Sequence, residues 1–214
     1  TTEIYTLSLH DALPICNLEK AREHALRYVE LQPDAADSHI TLGDVHRAKG
    51  DLEAARTAYG RAAEVDASSD VAFSKKGHAE SFLGNFEEAR ADFAAAANAS
   101  KTWKVGAKNF VVYTWIYAGD MGAALDANQA VLDEIDGLSD DPAQRRQMRI
   151  VCLEDRSLIA CASGDFATAE NAFAQIAELQ RMVMEEMANE SYSKQQEAWL
   201  AVLEGRIALR KGDM

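Results

Sequence analysis

The sequence predicts an all-α protein, an α-solenoid of antiparallel helical hairpins, on three observations. Gly-Asp or Gly-Asn recurs at Gly50-Asp51, Gly84-Asn85, Gly119-Asp120, Gly164-Asp165 and Gly212-Asp213, in steps of 34, 35, 45 and 48 residues. Self-similarity at such a period marks stacked supersecondary units rather than one closed globule. The same apolar ladder follows the first four glycines: Leu52, Ala55, Tyr59, Ala62; then Phe86, Ala89, Phe93, Ala96; then Phe166, Ala169, Phe173, Ile176, with Met121, Ala124, Val131 lapsing at Asn128. Steps of three and four put each ladder on one helical stripe. Seven residues before the glycine stands a small residue, Gly43, Gly77, Ser157 or Gly205, with Val112 the exception. A helical glycine costs about 1 kcal/mol against alanine, so its return at one register predicts two helices touching through their backbones.

These rules place the elements in chain order. Residues 1–15 fit a first helix badly, with Ser8-Leu9 in the slot of a Leu-Gly pair and Pro14 where a helical amide should donate. The stretch resembles translated sequencing-adapter peptide and is expected to be a non-native or poorly packed segment. Counting one period back from Gly50 reaches Cys16. Asn17 to Ala21, Ala25, Tyr28 and Pro33 then read as the second helix of a half repeat over 17–32. Within an array over 16–214, hairpin pairs are expected near 36–66, 70–98, 103–136 and 143–189, with a last half repeat over 193–211. The loop glycine is expected to end each first helix in the left-handed conformation, and the Asp or Asn after it to cap the second. Gly137 to Pro142 reads as a turn-rich spacer, with Asp141 capping a helix that has Pro142 in its first turn. The helices around 143–163 and 165–189 are expected to be longer than the earlier ones. Lys211 to Met214 stops where each earlier unit begins its second helix, so a fragment is expected.

Composition bounds the function classes. Of 214 residues, 48% are hydrophobic but only 7% aromatic, which suits a thin core between stacked hairpins. A formal charge of −13 disfavours wrapping a phosphate backbone, so no nucleic-acid partner is expected. Arg145, Arg146 and Arg149, the densest basic group, read as a solvated face with local ion pairs. No apolar run approaches the length of a membrane span.

Catalytic chemistry finds no foothold. Cys-x-x-Cys, His-Glu-x-x-His and phosphate-binding glycine loops are missing, so no cofactor and no enzyme activity are expected. His39 and His46 are the best metal pair, yet seven helical residues separate them by about 10 Å, and they read as fillers between helices. Cys152 and Cys161, about 13 Å apart on one helix, cannot bridge and read as small buried thiols. Met182, Met184 and Met187 read as helix-packing residues.

The residues His39, Leu42-Gly43, His46, Ala55, Tyr59, Ala62, and then Phe73, Gly77, Ala89, Phe93, Ala96, resemble the tetratricopeptide repeat family. The likeness loosens from about residue 100. It implies a right-handed superhelix whose first helices line a concave groove for an extended peptide or partner helix. The groove positions it implies are Asp37, Ile40, Asp44 and Arg47, then Val71, Ser74, His78 and Ser81. Weaker matches are Asn109 and Tyr113, then Val151, Glu154 and Leu158. Ile40, Asp44, Ser74 and His78 stand where some members carry a Lys and Asn clamp for a C-terminal carboxylate, so chaperone-tail binding is not expected. The leading expectation is a protein-interaction scaffold for a protein or peptide ligand. The competing one is a sensory or regulatory segment of a larger enzyme or transcription regulator. Self-association through uncapped solenoid ends is a third.

Overall fold

A computed structural model of the chain describes residues 17–100 and 103–212. Among these residues ten α-helices form and no strand. The chain divides into two compact units, the first closing at Trp103 and the second opening at Lys104.

The first unit holds α1 (Leu18–Leu31), α2 (Ala36–Ala48), α3 (Leu52–Val65), α4 (Asp70–Leu83) and α5 (Phe86–Ala99). Each helix packs on the next, and α2 also touches α4. The second unit holds α6 (Lys104–Tyr117), α7 (Met121–Leu138), α8 (Pro142–Ser163), α9 (Phe166–Met187) and α10 (Glu190–Lys211). Here too neighbours in sequence pack together, while α8 also meets α6 and α10. In both units, therefore, the helices that touch across an intervening one are the first helices of their hairpins. Those helices share one face of their unit.

Local chemistry explains the boundaries. Gly50, Gly84, Gly119, Gly164 and Gly212 all have φ near +80°, between +79° and +84°, a conformation that costs an L side chain about 1 kcal/mol or more. The residue after the glycine then caps the next helix: Asp51, Asp120 and Asp165 accept the amides of Ala54, Ala123 and Thr168 at 2.9–3.1 Å. Asn85 departs from the expectation. Its amide donates instead to the Glu80 carboxylate at 2.7 Å, a partner inside the preceding helix, and it caps nothing. Asp141 accepts from Ala143 with Pro142 in the first turn, as anticipated. The expected spacer over 137–142 is shorter: Gly137 and Leu138 finish α7, and only Ser139–Asp141 connect. Ser139 holds that connection, its carbonyl accepting from Arg145 at 2.7 Å and its hydroxyl accepting the Asp141 amide. The expected cap Asp213, the half-repeat start Cys16 and residues 1–15 lie outside the described residues.

The two cores differ in kind. In the first unit, alanines 55, 58, 62, 72, 79, 89, 96 and 97 bring helices close, and Tyr59 and Phe93 are the large fillers. A Cβ on Gly43 would stand 2.4 Å from the Tyr59 ring, and one on Gly77 2.8 Å from the Phe93 ring. The glycine register is therefore not a backbone-to-backbone contact, as the sequence suggested; it is the seat of an aromatic ring from the partner helix. In the second unit the core is aliphatic, built from Val105, Val112, Val131, Leu132, Ile135, Ile150, Leu153, Ile159 and Ile176.

Candidate functional site

In the first unit, α2 and α4 carry most of the anticipated groove residues. Asp44 is the hub: its Oδ1 accepts from the Tyr59 hydroxyl and from Lys75 Nζ, each at 2.7 Å. Lys75 also lies over the Tyr59 ring, 5.9 Å from its centroid. Burial and then the Asp44 carboxylate push the Tyr59 phenol well above its ordinary range, while Arg47 acts on it in the opposite sense. His78 meets the Phe93 ring edge-on at 5.1 Å. Burial, and then the charges of Arg47 and Lys75, hold the His78 pKa below the ordinary histidine value. Lys75 thus pairs with the Asp44 carboxylate, Arg47 reaches the Tyr59 hydroxyl beside it, and His78 feels the charges of both cations.

The other positions fall around this cluster. Asp37 and Val71 are exposed near the starts of their helices, and Ile40 and Ser74 are half-buried. Ser81 spends its hydroxyl on the Gly77 carbonyl of its own helix at 2.9 Å. Lys75 was not singled out, although Val71, Lys75, His78 and Phe82 form a stripe of four-three-four steps that the pattern contained.

In the second unit, Tyr113 donates to both carboxylate oxygens of Asp155, at 3.1 and 3.0 Å. Asn109 is buried, with its Oδ1 facing the Cys152 thiol at 3.6 Å. It braces α6 on α8 and offers no surface to a ligand. Burial raises both Glu154 and Asp155 above the usual carboxylate range; Arg206 opposes the shift at Glu154 and the Tyr113 hydroxyl opposes it at Asp155. Glu154, Val151 and Leu158 share the outer stripe of α8, and Val151 and Leu158 are exposed. Beside them, α8 and α10 enclose a trough of about 370 Å³. Leu203 and Ile207 lie buried along it, and Leu158, Leu209, Cys161, Arg206 and Arg210 complete its lining. A smaller recess of about 80 Å³, bordered by Glu154, Trp199 and Val202, shares Leu158, Leu203 and Arg206 with it.

The Cys152 thiol is buried and pushed up to about 11, so it stays protonated. Cys161 is only half-buried, contrary to the reading of both thiols as core residues, because it borders the trough. The histidine pair is spoken for: His39 Nε2 donates to the Pro33 carbonyl at 2.8 Å, and His46 Nδ1 lies 3.7 Å from Asp51. Among the described residues no three His, Cys, Asp or Glu groups gather as metal ligands. No described helix is long and apolar enough to cross a membrane. Arg145 and Arg149 pair with Asp136, and Arg146 with Glu186 of α9; all three side chains are half-buried, so the expected ion pairs form but the face is less solvated than expected. Met182 and Met187 are exposed, not packed.

Comparison with known proteins fits this architecture. The tetratricopeptide repeat model matches residues 36–69. No curated protein matches the chain by sequence. Among solved structures, MamA residues 41 to the end from Desulfovibrio magneticus RS-1 shares 16% identity, over 81% of this chain and 91% of that one, with a TM-score of 0.57. The Cut9–Hcn1 hetero-tetramer of the APC/C shares 16% identity over 96% of this chain and 35% of that one, with a TM-score of 0.57. YrrB, described as a tetratricopeptide protein with an unusual peptide-binding site, shares 16% identity over 91% of this chain and all of that one, with a TM-score of 0.51. At such identities the likeness is one of fold. Residues 36–69 match a tetratricopeptide repeat, and the chain around them has the fold of the tetratricopeptide solenoids it resembles.

Proposed function

We propose that the chain is a protein-interaction scaffold that holds a peptide or partner helix against the first helices of its hairpins, with no catalytic step of its own. The observation that carries this reading is the Asp44 cluster. Asp44 and Arg47 of α2 and Lys75 and His78 of α4 interact in a chain across the two first helices, and the buried Tyr59 hydroxyl and Lys75 hold the Asp44 carboxylate. A preorganised set of donors and one acceptor suits a peptide backbone and a few polar side chains, because little side-chain entropy remains to be lost on binding. Cys152, the thiol nearest the Asp155 carboxylate, is buried and held protonated, a poor nucleophile, so the side chains of the second unit also favour a binding role.

Asp44 also ties Tyr59 into the core, so reversing its charge would confound binding with folding. The informative variant is Arg47→Gln with Lys75→Gln, which removes two cations, adds no carboxylate and keeps Asp44 and Tyr59 themselves. Selection of peptides from a displayed random library on the wild-type chain should yield sequences whose affinity drops by about tenfold or more on this variant. The control is Arg61→Glu on α3, which pairs locally with Glu64 at the surface. Equal affinity for the Arg47/Lys75 variant, or a greater loss in the Arg61 control, would remove the α2–α4 face from the proposal.

A further inference from the structure

The α2–α4 face holds a titratable group among its cations. We infer that His78 makes this face proton-linked: an acidic side chain of the ligand, set between Arg47 and Lys75, draws a proton onto the imidazole, so that capture tightens as the solution turns acid. The inference rests on the scaffold reading above and deepens it, naming the ligand's charge and the regulation of its binding.

Position sets His78 apart. It follows Lys75 by one turn of α4, at the repeat register that Asp44 occupies on α2. One slot therefore holds a carboxylate in one hairpin and an imidazole in the next. The carboxylate is already engaged, since Asp44 Oδ1 accepts from the Tyr59 hydroxyl and from Lys75 Nζ. The imidazole is half-buried and braced edge-on against the Phe93 ring at 5.1 Å, and that ring is itself only 1% exposed in its seat over Gly77. A group so held answers its neighbours' charges by changing its protonation rather than its position.

The elements packed around α4 give the sign. α2 contributes Asp44 and Arg47, α4 itself contributes Lys75, α3 contributes the Tyr59 phenol, and α5 presents the uncharged Phe93 ring. Burial, and then the charges of Arg47 and Lys75, oppose a proton on His78. A ligand carboxylate placed against those two cations would cancel the field that repels the proton, and the imidazolium would become a third donor to that carboxylate. Linkage makes the two effects one: a ligand that strengthens proton binding at His78 is itself bound more tightly where protons are more abundant. A basic ligand segment would reverse the sign, and an uncharged one would leave binding indifferent to pH.

The probe is a peptide selected on the full wild-type chain whose capture depends on Arg47 and Lys75, with a twin in which its Asp and Glu are replaced by Asn and Gln. By fluorescence anisotropy, the affinity of the acidic peptide should rise by about threefold or more between about pH 7.5 and about pH 5.5, a window that brackets the ordinary histidine value and stays above the carboxylate range. The twin should not show the rise. Calorimetry in two buffers of different ionisation heat should detect proton uptake on binding at the lower pH. His78→Gln should flatten the ratio of the two affinities, whatever it does to the affinity near neutrality. In the wild-type chain, where no packing is altered, NMR of the imidazole resonances should show one histidine whose titration midpoint rises when the peptide is added. Selected peptides without acidic residues, an affinity that is flat or falls toward acid, an equal rise in the twin, or a rise that survives in His78→Gln would each overturn the inference while the dependence on Arg47 and Lys75 keeps the scaffold reading. A library that yields no peptide dependent on Arg47 and Lys75 would overturn both.

Discussion

Replacing Gly43 by alanine should destabilise the first unit although alanine is the better helix former. The added Cβ would stand 2.4, 2.5 and 2.9 Å from Cε1, Cδ1 and Cζ of Tyr59, against a favourable carbon–carbon separation of about 3.5–4.0 Å. The ring, fully buried and tied by its hydroxyl to Asp44 at 2.7 Å, must therefore move by roughly 1 Å. Overpacking of this kind costs about 1–3 kcal/mol, and loss of a hydrogen bond to a charged acceptor about 1.5–3 kcal/mol. The gain in helix propensity returns about 1 kcal/mol. The expected net loss is about 1.5–5 kcal/mol. Gly205→Ala in α10 is the matched control, because a Cβ there meets nothing within 4 Å, and it should gain up to about 1 kcal/mol. Urea unfolding followed by helicity separates the two variants by midpoint. Adding Tyr59→Leu to Gly43→Ala should recover part of the loss, with a coupling above about 1 kcal/mol. A Gly43→Ala chain as stable as the wild type would refute the argument that this glycine exists to seat the ring.

Three further outcomes follow from particular residues. Ala188 closes α9 at φ 46°, where an L side chain is strained, so Ala188→Gly should raise stability by about 0.5–1 kcal/mol in the same unfolding assay; a loss would mean the methyl group has a packing role. Burial holds the Asp155 carboxyl above its ordinary range, so the fold favours the protonated form. That contribution is complete below the ordinary carboxylate range and is lost as pH rises through the raised folded value. Asp155→Asn, which keeps an acceptor for Tyr113, should therefore raise the urea midpoint near neutral pH and lose that advantage on acidification; a difference that ignores pH would count against burial as the cause. Finally, maleimide should modify Cys161 in the folded chain while Cys152, buried with its pKa pushed up, reacts only on unfolding, and parallel labelling of both would contradict the packing of α8.

The repeat was legible because its most informative residues answer to backbone geometry, which a sequence records directly. A left-handed turn demands glycine at Gly50, Gly84, Gly119 and Gly164 whatever surrounds it. The role of Gly43 and Gly77 was less legible. Their register was visible, but the partner was a ring sixteen residues on, and nothing in the spacing distinguishes a ring from a backbone. Lys75 escaped because positions were carried over by repeat register, which pairs Asp44 with His78, whereas the contact follows the reach of a long side chain to the turn before. The α8–α10 trough was invisible for a different reason. Leu158 and Leu203 belong to different hairpins, and an apolar residue on a helical stripe reads the same whether a neighbour covers it or leaves it open.

The two apparent exceptions in the pattern, Val112 in the glycine slot and Asn128 in the aromatic slot, are one event. The offset between the slots is that of Gly43 to Tyr59 and of Gly77 to Phe93, so α6 and α7 carry the larger residue on the first helix and the smaller on the second. Volume at the crossing is conserved while its direction is inverted, which a close-packed interior requires and a reading of single positions misses. The exchange also changes what the crossing does. Tyr59 sends its hydroxyl to Asp44 on the first helix of its own hairpin, whereas Asn128 is fully buried and donates from Nδ2 to the Cys152 carbonyl of α8, the next hairpin, at 2.9 Å. The polar atom that closes one hairpin in the first unit therefore joins two hairpins in the second. There the core is aliphatic, and α8, α9 and α10 each run to 22 residues. A tyrosine at position 128 without a glycine at 112 would lose the Asn128 bond to the Cys152 carbonyl and leave the ring no seat, so the two positions are expected to be coupled.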